Sequence, residues 1–248
     1  MVRAARSVLV SLLVVIALHL PARAGEPVDL LLVLAADVSR SVDQPKFQLQ
    51  RAGYAAAISH PRVLNAITSG VHRRIALCFI EWSGPYSQRI VIDWTLVGDA
   101  AAARRFGDQL LEAPRAFSDR TSISAAIDFA TTHFDKAPYQ SDRRTIDVSG
   151  DGDNNSGRAA AAARDSALAL GITINGLVIL TENAMPGTET HTNPPGGLEA
   201  YYRDNVIGGN GAFVIVAQDF NSFGDAIVRK LVAEIAESPR LRHALSKR

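Results

Sequence analysis

The sequence contains one cysteine among 248 residues, and this scarcity limits how the fold can be stabilised. With a single thiol the chain forms no internal disulfide, so the hydrophobic core must be sufficient by itself. Cys78 lies in the apolar stretch 75–80, where a buried thiol behaves as a small hydrophobic side chain. We therefore expect Cys78 to be an inert core residue. No Cys/His cluster in the sequence indicates zinc.

Long apolar runs are missing after the N-terminus. The one extended run, residues 8–20, follows Arg3 and Arg6 and is shorter than the ~20 residues of a membrane-spanning helix. With the small-x-small triplet 22–24 it is typical of an export signal, so we predict a signal peptide over residues 1–24. The mature protein is then expected in a bacterial periplasm or secreted, without stable membrane insertion.

The chain also lacks an excess of either charge. It has 26 Lys and Arg against 25 Asp and Glu, and loss of three arginines with the signal leaves a formal net charge of −2. Because nucleic-acid binding depends on basic surfaces, nothing here indicates a nucleic-acid partner. The remaining length suits one α/β domain, predicted over residues 25–238. The basic tail 239–248 is interpreted as a solvated end.

Strand-like and helix-like segments alternate along the predicted domain. Strands are predicted at residues 30–36, 74–82, 88–95, 144–149, 172–180 and 212–217, and helices at 44–59, 98–112, 123–134, 158–170, 198–206 and 221–237. Residues 83–87 are too few for a parallel crossover, so the third strand is predicted to pair antiparallel at an edge. This order indicates a doubly wound, Rossmann-like α/β fold, with a mostly parallel six-stranded sheet, one antiparallel edge strand and helices on both faces.

The clearest motif follows the first predicted strand. Asp37, Ser39 and Ser41 stand at alternate positions directly after the apolar run 30–36. Oxygen-bearing side chains at this spacing can turn inward around a small hard cation. Because Asp and Ser also form helix N-caps, this segment alone fits both a metal site and a cap.

Two further polar loops are predicted to lie beside this motif. In doubly wound sheets the ligand lies outside the carboxyl ends of the strands, where these loops would meet. The arrangement brings Thr121 and Asp151 towards Asp37, Ser39 and Ser41. Two carboxylates about 4 Å apart repel by ~4 kcal/mol at an effective dielectric constant of about 20, and a divalent cation turns that repulsion into attraction.

This set of residues resembles the metal-ion-dependent adhesion site of von Willebrand factor type A domains. The Asp-x-Ser-x-Ser loop, Thr121 at a helix start and Asp151 after a strand occur in the family's order. The resemblance covers nearly all of the mature chain and is closest to a bacterial group of exported proteins of unknown function. It implies that the hydroxyls of Ser39, Ser41 and Thr121 bind the ion directly, whereas Asp37 and Asp151 act mainly through ordered water. The implied ion is magnesium, with manganese or calcium as alternatives.

The resemblance also implies a function. One coordination position stays open, so the expected activity is noncatalytic binding of a protein partner through an Asp or Glu side chain. The family often has Gly before the threonine, whereas this chain has Arg120, a side chain that screens the site, holds an anionic partner or has no role. The long irregular loop 181–197 and the connection 83–87 are predicted to shape partner choice.

A competing interpretation is a metal-dependent phosphatase of the haloacid-dehalogenase type. Residues 149–155 resemble the acidic Gly-Asp-Gly loop of these enzymes. These enzymes place a second Asp two residues after the nucleophile, where this chain has Ser39, and a hydroxyl does not replace a general acid. A calcium loop starting at Asp147 is excluded because its twelfth position is Arg158 rather than Glu.

The remaining polar residues receive simpler interpretations. Asp153, Asn154 and Asn155 are read as caps of the following helix or as rim contacts. His133, late in a helix, is expected at the surface or near the helix C-terminal dipole. His191 lies in the long loop without a supporting pattern, and the sequence has no Gly-x-Ser-x-Gly elbow for a hydrolytic triad.

Overall fold

The computed structural model describes residues 25–180 and 189–236, so the predicted signal peptide and basic tail lie outside the described residues. The strands are β1 Glu26–Pro27, β2 Leu31–Asp37, β3 Ile75–Trp82, β4 Gln88–Val97, β5 Tyr139–Gln140, β6 Arg144–Gly150, β7 Ile172–Ile179 and β8 Val214–Ala217. The helices are α1 Gln44–Ile58, α2 Pro61–Thr68, α3 Ala100–Glu112, α4 Ile123–His133, α5 Ala160–Ala169, α6 Glu189–Thr192, α7 Leu198–Asn205 and α8 Phe223–Ile235. Among these described helices, none combines the length and apolar character needed to cross a membrane.

Six strands form one sheet in the order β4-β3-β2-β6-β7-β8. All neighbours pair in parallel except β3 and β4, which are antiparallel and are joined by the short connection 83–87. The predicted doubly wound sheet with an antiparallel edge strand is therefore confirmed. Strands β1 and β5 form a separate parallel pair.

Strand β2 lies near the middle of the sheet and every residue in it is buried. Successive side chains of a strand point to opposite faces, so this one strand contributes to two hydrophobic cores. Leu32 and Leu34 pack in the core covered by α1, α2, α3 and α8. Leu31, Val33 and Ala35 pack in the core covered by α4, α5 and α7. Burial on both faces explains why the strand is a continuous apolar run.

Some elements differ from the sequence-based expectation. Helix α2 was not predicted, although Pro61 occupies its first turn and His60 caps it, since His60 Nδ1 accepts a hydrogen bond from the Arg62 backbone at 3.1 Å. The long loop 181–197 contains the short helix α6, and its first part, residues 181–188, lies outside the described residues. Most other boundaries shift by one or two residues, as is usual for fraying ends.

The register of β2 and β6 determines where the predicted site residues lie. Ala36 pairs with Ser149, so the strand ends carrying Asp37 and Gly150 lie side by side at the carboxyl edge of the sheet. Asp151 follows Gly150 directly. The two acidic residues predicted to share a site therefore leave neighbouring strands at the same level.

Candidate metal centre

The loop after β2 is folded around the Asp37 side chain. The backbone N–H of Ser39 donates to Asp37 Oδ1 at 2.7 Å, and the hydroxyl oxygens of Ser39 and Ser41 lie 3.1 Å apart. Arg115 holds this loop from outside, because its Nη2 donates to the carbonyl oxygens of Val38 (2.7 Å) and Ser39 (2.9 Å). The loop is thus fixed by backbone contacts, which leaves its hydroxyls directed at each other.

A different residue caps the following helix. Asp43 is the N-cap of α1, and its Oδ1 accepts a hydrogen bond from the Lys46 backbone at 2.9 Å. Asp37, Ser39 and Ser41 are therefore not needed as caps. Of the two interpretations that the motif allowed, the helix cap does not apply to these three residues, because Asp43 forms it.

The second carboxylate closes the group. Ser41 Oγ donates to Asp151 Oδ1 at 2.5 Å, and Asp37, Ser39, Ser41 and Asp151 are each at most 3% exposed. Within the described part of the chain, Asp37 Oδ2 and Asp151 Oδ2 have no hydrogen-bond partner. Lys46 Nζ approaches Asp151 Oδ2 only to 3.9 Å. Buried carboxylate oxygens without a partner are costly, so this arrangement calls for a cation.

The electrostatics of the two acids reflect this cost. Burial, followed by the charge of Asp151, raises the pKa of Asp37 to about 7, against the hydrogen bonds from Ser39. Burial also raises the pKa of Asp151, although Ser41, Lys46 and His191 oppose the shift. Each acid is thus held in surroundings that favour the neutral form unless a positive charge is added.

Thr121 reaches the same place from the other side of the sheet edge. Its backbone N–H donates to Asn155 Oδ1 at 3.0 Å, and its carbonyl accepts from the Asn155 backbone at 3.0 Å. Thr121 and Ser41 line one cleft of about 160 Å³, together with His191 and the rim residue Arg120. Of the five predicted residues, Ser41 and Thr121 line this cleft, and hydrogen-bond distances connect Ser41 to Ser39 and Asp151.

His191 is the main residue that the sequence reasoning did not assign. Its Nε2 lies 3.0 Å from Thr121 Oγ1, and its Nδ1 lies 2.6 Å from Asp153 Oδ1. Burial disfavours the charged imidazole, but the hydrogen bond and charge of Asp153, with the charges of Asp37 and Asp151, outweigh it and raise the pKa of His191. The only sequence signal was its place in a long loop after a parallel strand.

Of the two predicted roles of the polar run after Asp151, capping of the following helix is wrong, whereas a rim contact is seen for Asn155, which lines the cleft. The N-cap of α5 is Ala159, which makes no capping side-chain hydrogen bond. Asn154 Oδ1 instead accepts from the Ser124 backbone at 3.0 Å, at the start of α4. The side chains that follow β6 contact the loop that carries Thr121. They therefore hold the start of α4 and His191 in place.

The donor set fits a hard divalent cation. Two carboxylates and three hydroxyls supply only oxygen atoms, which magnesium, manganese and calcium prefer. Among the described residues, Asp37 Oδ2 and Asp151 Oδ2 have no hydrogen-bond partner, so each is free to accept one from metal-bound water.

A second group of potential ligands lies between β3, β4 and α4. The ligand atoms of Cys78, Asp93 and His133 lie within 4.8 Å of one another. His133 is buried, lies 2.8 Å from Asp93 and stacks on Trp94, so of its two predicted positions the surface is wrong, whereas its place in the last turn of α4 agrees with the structure. Burial raises the pKa of the Cys78 thiol, and a neutral thiol is a poor metal ligand. This group fits a metal less well than the loop site does.

The chain has the α/β fold of the von Willebrand factor type A class. The pilus adhesin SpaC from Lactobacillus rhamnosus GG shares this fold with a TM-score of 0.59 and 10% identity, over 86% of this chain and 31% of that one. Proximal thread matrix protein 1 from mussel byssus, with a zinc-occupied MIDAS motif, has a TM-score of 0.57 and 13% identity, over 85% of this chain and 49% of that one. A von Willebrand factor type A protein from Catenulispora acidiphila has a TM-score of 0.52 and 13% identity, over 84% of this chain and 43% of that one. This chain spans less than half the length of each of these proteins.

Within that class the chain belongs to the family described as protein of unknown function DUF1194, whose model matches residues 27–239. The match covers all six strands of the main sheet and all five predicted site residues. No curated protein matches the sequence.

Proposed function

We propose that this protein is an exported, noncatalytic module that binds a protein partner through a divalent cation. The observation that carries the proposal is the pair of buried carboxylates, Asp37 and Asp151, each with one oxygen that lacks a hydrogen-bond partner among the described residues. They lie beside the buried hydroxyls of Ser39 and Ser41, and Ser41 lines the neighbouring cleft. The signal-like N-terminal sequence supports action in the periplasm or outside the cell.

The chain's own residues would divide the work as follows. Ser39, Ser41 and Thr121 would hold the ion through their hydroxyls, and Asp37 and Asp151 would balance its charge through ordered water. A bound cation with few charged ligands supplies an electrophilic centre that attracts an acidic group. Magnesium is the ion that this oxygen set favours when considered alone.

The rim of the cleft is suited to an acidic partner. Arg40 and Arg120 line it, and Asp119 offsets only part of their charge, since Asp119 Oδ1 lies 3.8 Å from Arg40 Nη2. The arginines would add charge-assisted hydrogen bonds to a carboxylate that approaches the metal. In this proposal Arg120 would hold the anionic partner, which is one of the three interpretations that the sequence left open.

Two segments beside the site would select the partner. The connection 83–87 lies against the α4 entrance, where the Ser122 backbone donates to the Ser83 carbonyl at 2.7 Å, and its Tyr86 is 97% exposed. Residues 189–197 carry His191 into the cleft. Both segments therefore border the place where a partner would dock.

Two of the structurally similar proteins support an adhesion-type role. SpaC is a pilus adhesin, and the byssus protein has a metal-occupied MIDAS motif. Their identities to this chain, 10% and 13%, are too low to transfer a ligand. The partner is therefore defined here only by its acidic group.

The proposal is tested by pull-down from bacterial envelope extract with the immobilised chain. We expect a partner to be retained in magnesium, released by a chelator and recovered when magnesium is restored, because the cation bridges the two proteins. Asp37→Ala should abolish retention. A short peptide with one Glu should compete for the partner's place, whereas its Gln counterpart should not.

Asp165→Ala is the matched control, since Asp165 is a carboxylate with a 63% exposed side chain that pairs with its neighbour Arg164. This variant should bind the partner as the wild type does. Partners whose retention is unchanged both by the chelator and by Asp37→Ala would refute the mechanism. Phosphatase activity that is lost in Asp37→Asn would replace it with the phosphoryl-transfer alternative.

A further inference from the structure

His191 stands where a ligand of the proposed metal would stand. It lies on the short helix α6, and its Nε2 is 3.0 Å from Thr121 Oγ1, one of the predicted metal ligands. It lines the same cleft as Ser41 and Thr121. Its side chain is only 12% exposed, so the imidazole is held in this place rather than extended into solvent.

Asp153 orients the imidazole in the manner of a metal-binding histidine. An ionised carboxylate only accepts hydrogen bonds, so at 2.6 Å the proton between Asp153 Oδ1 and His191 Nδ1 belongs to Nδ1. The neutral tautomer with this proton presents the Nε2 lone pair towards Thr121. Histidines that bind metals almost always give their other N–H to a carboxylate, carbonyl or water, which fixes the ring and raises its basicity.

The backbone around His191 is shaped to admit the ring. The Asp153 N–H donates to the His191 carbonyl at 3.0 Å, which ties α6 to the loop after β6. A Cβ atom at Gly152 would lie 2.0 Å from His191 Nε2. Gly152 is not in the left-handed region, so space for the imidazole, rather than backbone conformation, requires the glycine.

From these contacts we propose that His191 is a nitrogen ligand of the cation bound by Asp37, Ser39, Ser41, Thr121 and Asp151, with Asp153 as its positioning residue. This inference rests on the metal site of the proposed function and deepens it. Imidazole suits zinc and similar transition metals, whereas magnesium prefers oxygen ligands. The site of this chain therefore selects a transition metal of the zinc class.

Calorimetric titration of the purified chain with zinc and with magnesium tests the proposal. His191→Ala should weaken zinc binding by at least about 10- to 100-fold, the range found when groups that orient metal ligands are removed, and should weaken magnesium binding much less, because magnesium prefers the oxygen ligands that remain. Asp153→Asn and Gly152→Ala should reduce zinc affinity in the same direction, because the first loosens the ring and the second pushes it away. Spin-echo spectroscopy of the manganese-loaded chain should show nitrogen modulation that His191→Ala removes.

His72→Ala is the matched control, because His72 is an exposed histidine whose backbone, not its ring, contacts Asp29. It should bind both metals like the wild type. Unchanged zinc affinity and persistent nitrogen modulation in His191→Ala would overturn the inference, and equal losses in His72→Ala would do the same. Asp37→Ala distinguishes the proposed metal site from the proposed role of His191. If this variant still binds both metals, the metal site of the proposed function is refuted. If it loses both, the site stands and the His191 variant decides only the role of His191.

Discussion

Saturating the site with a divalent cation is expected to raise the melting temperature of the protein by about 5–10 °C at neutral pH. A ligand at a hundred times its dissociation constant stabilises the folded state by about 2.7 kcal/mol, and each kcal/mol shifts the melting temperature of a domain of this size by about 2–4 °C. The reason is the burial of Asp37 and Asp151 with oxygens that no described group satisfies. Scanning calorimetry with zinc, manganese and magnesium, each against a chelator, measures the shift.

The free energy of unfolding of the chelator-treated protein is expected to fall as the pH rises. The pKa of Asp37 is raised from 3.8 to about 7 in the folded state, so the folded protein holds a proton that the unfolded chain releases. This contribution to stability is complete below the unfolded value and is lost as the pH rises through about 7. Because the metal replaces protons, the difference between metal-loaded and chelator-treated melting temperatures should grow from pH 4 to pH 8.

Asp37→Asn provides the control for both observations. Removing one of two buried acids relieves their repulsion, so this variant should be at least as stable as the chelator-treated wild type and should lose the response to metal. A wild-type melting temperature that none of the cations changes would contradict the assignment of a metal site. A full metal response in Asp37→Asn would place the ion elsewhere.

Replacing Lys230 by Met is expected to lower the free energy of unfolding by about 3–5 kcal/mol, since it leaves buried charges without their partner. Lys230 on α8 is fully buried, and its Nζ lies 2.8 Å from Asp147 Oδ1 on β6 and also donates to Glu234. Asn175 Nδ2 donates to the same Glu234 carboxylate at 3.1 Å. Burial and the charge of Glu234 raise the pKa of Asp147 to about 7 despite Lys230, so loss of the ammonium would worsen an already strained pair of acids. Urea unfolding followed by circular dichroism measures the change.

Two variants separate this buried triad from ordinary ion pairs. Arg203→Met breaks an exposed pair with Glu199 that has the same i,i+4 spacing as Lys230 and Glu234, and it should cost less than about 1 kcal/mol. The triple variant Asp147→Asn, Lys230→Met, Glu234→Gln removes all the charges and should recover most of the lost stability. A Lys230→Met loss no larger than that of Arg203→Met would show that water reaches the triad.

The sequence was sufficient for the sheet and for the placement of Asp37 and Asp151 at one edge of it, because both follow from local pattern. Burial on both faces makes β2 a continuous apolar run, and the short connection after β3 forces the antiparallel edge. Once the strand order is known, Asp37 and Asp151 must leave the same edge.

The contacts of His191 were out of reach because they join distant and irregular segments. Its hydrogen-bond partners Thr121 and Asp153 lie 70 and 38 residues away, and the loop that carries it has no periodicity from which an orientation follows. For the same reason the sequence did not predict that Asn154 accepts a hydrogen bond at the start of α4 rather than capping α5. Buried His133 was misplaced for a similar reason, since only packing reveals its stacking on Trp94.

Arg115 gives the site a thermodynamic character of its own. Its guanidinium bonds to the Val38 and Ser39 carbonyls and lies 5.5 Å from the centre of the Phe47 ring, so the loop after β2 is tied to both α1 and the segment before α4. The loss of conformational entropy in this loop therefore accompanies folding of the chain rather than arrival of the ion. For the proposed cation, preorganisation of this kind removes the ordering of this loop from the cost of binding.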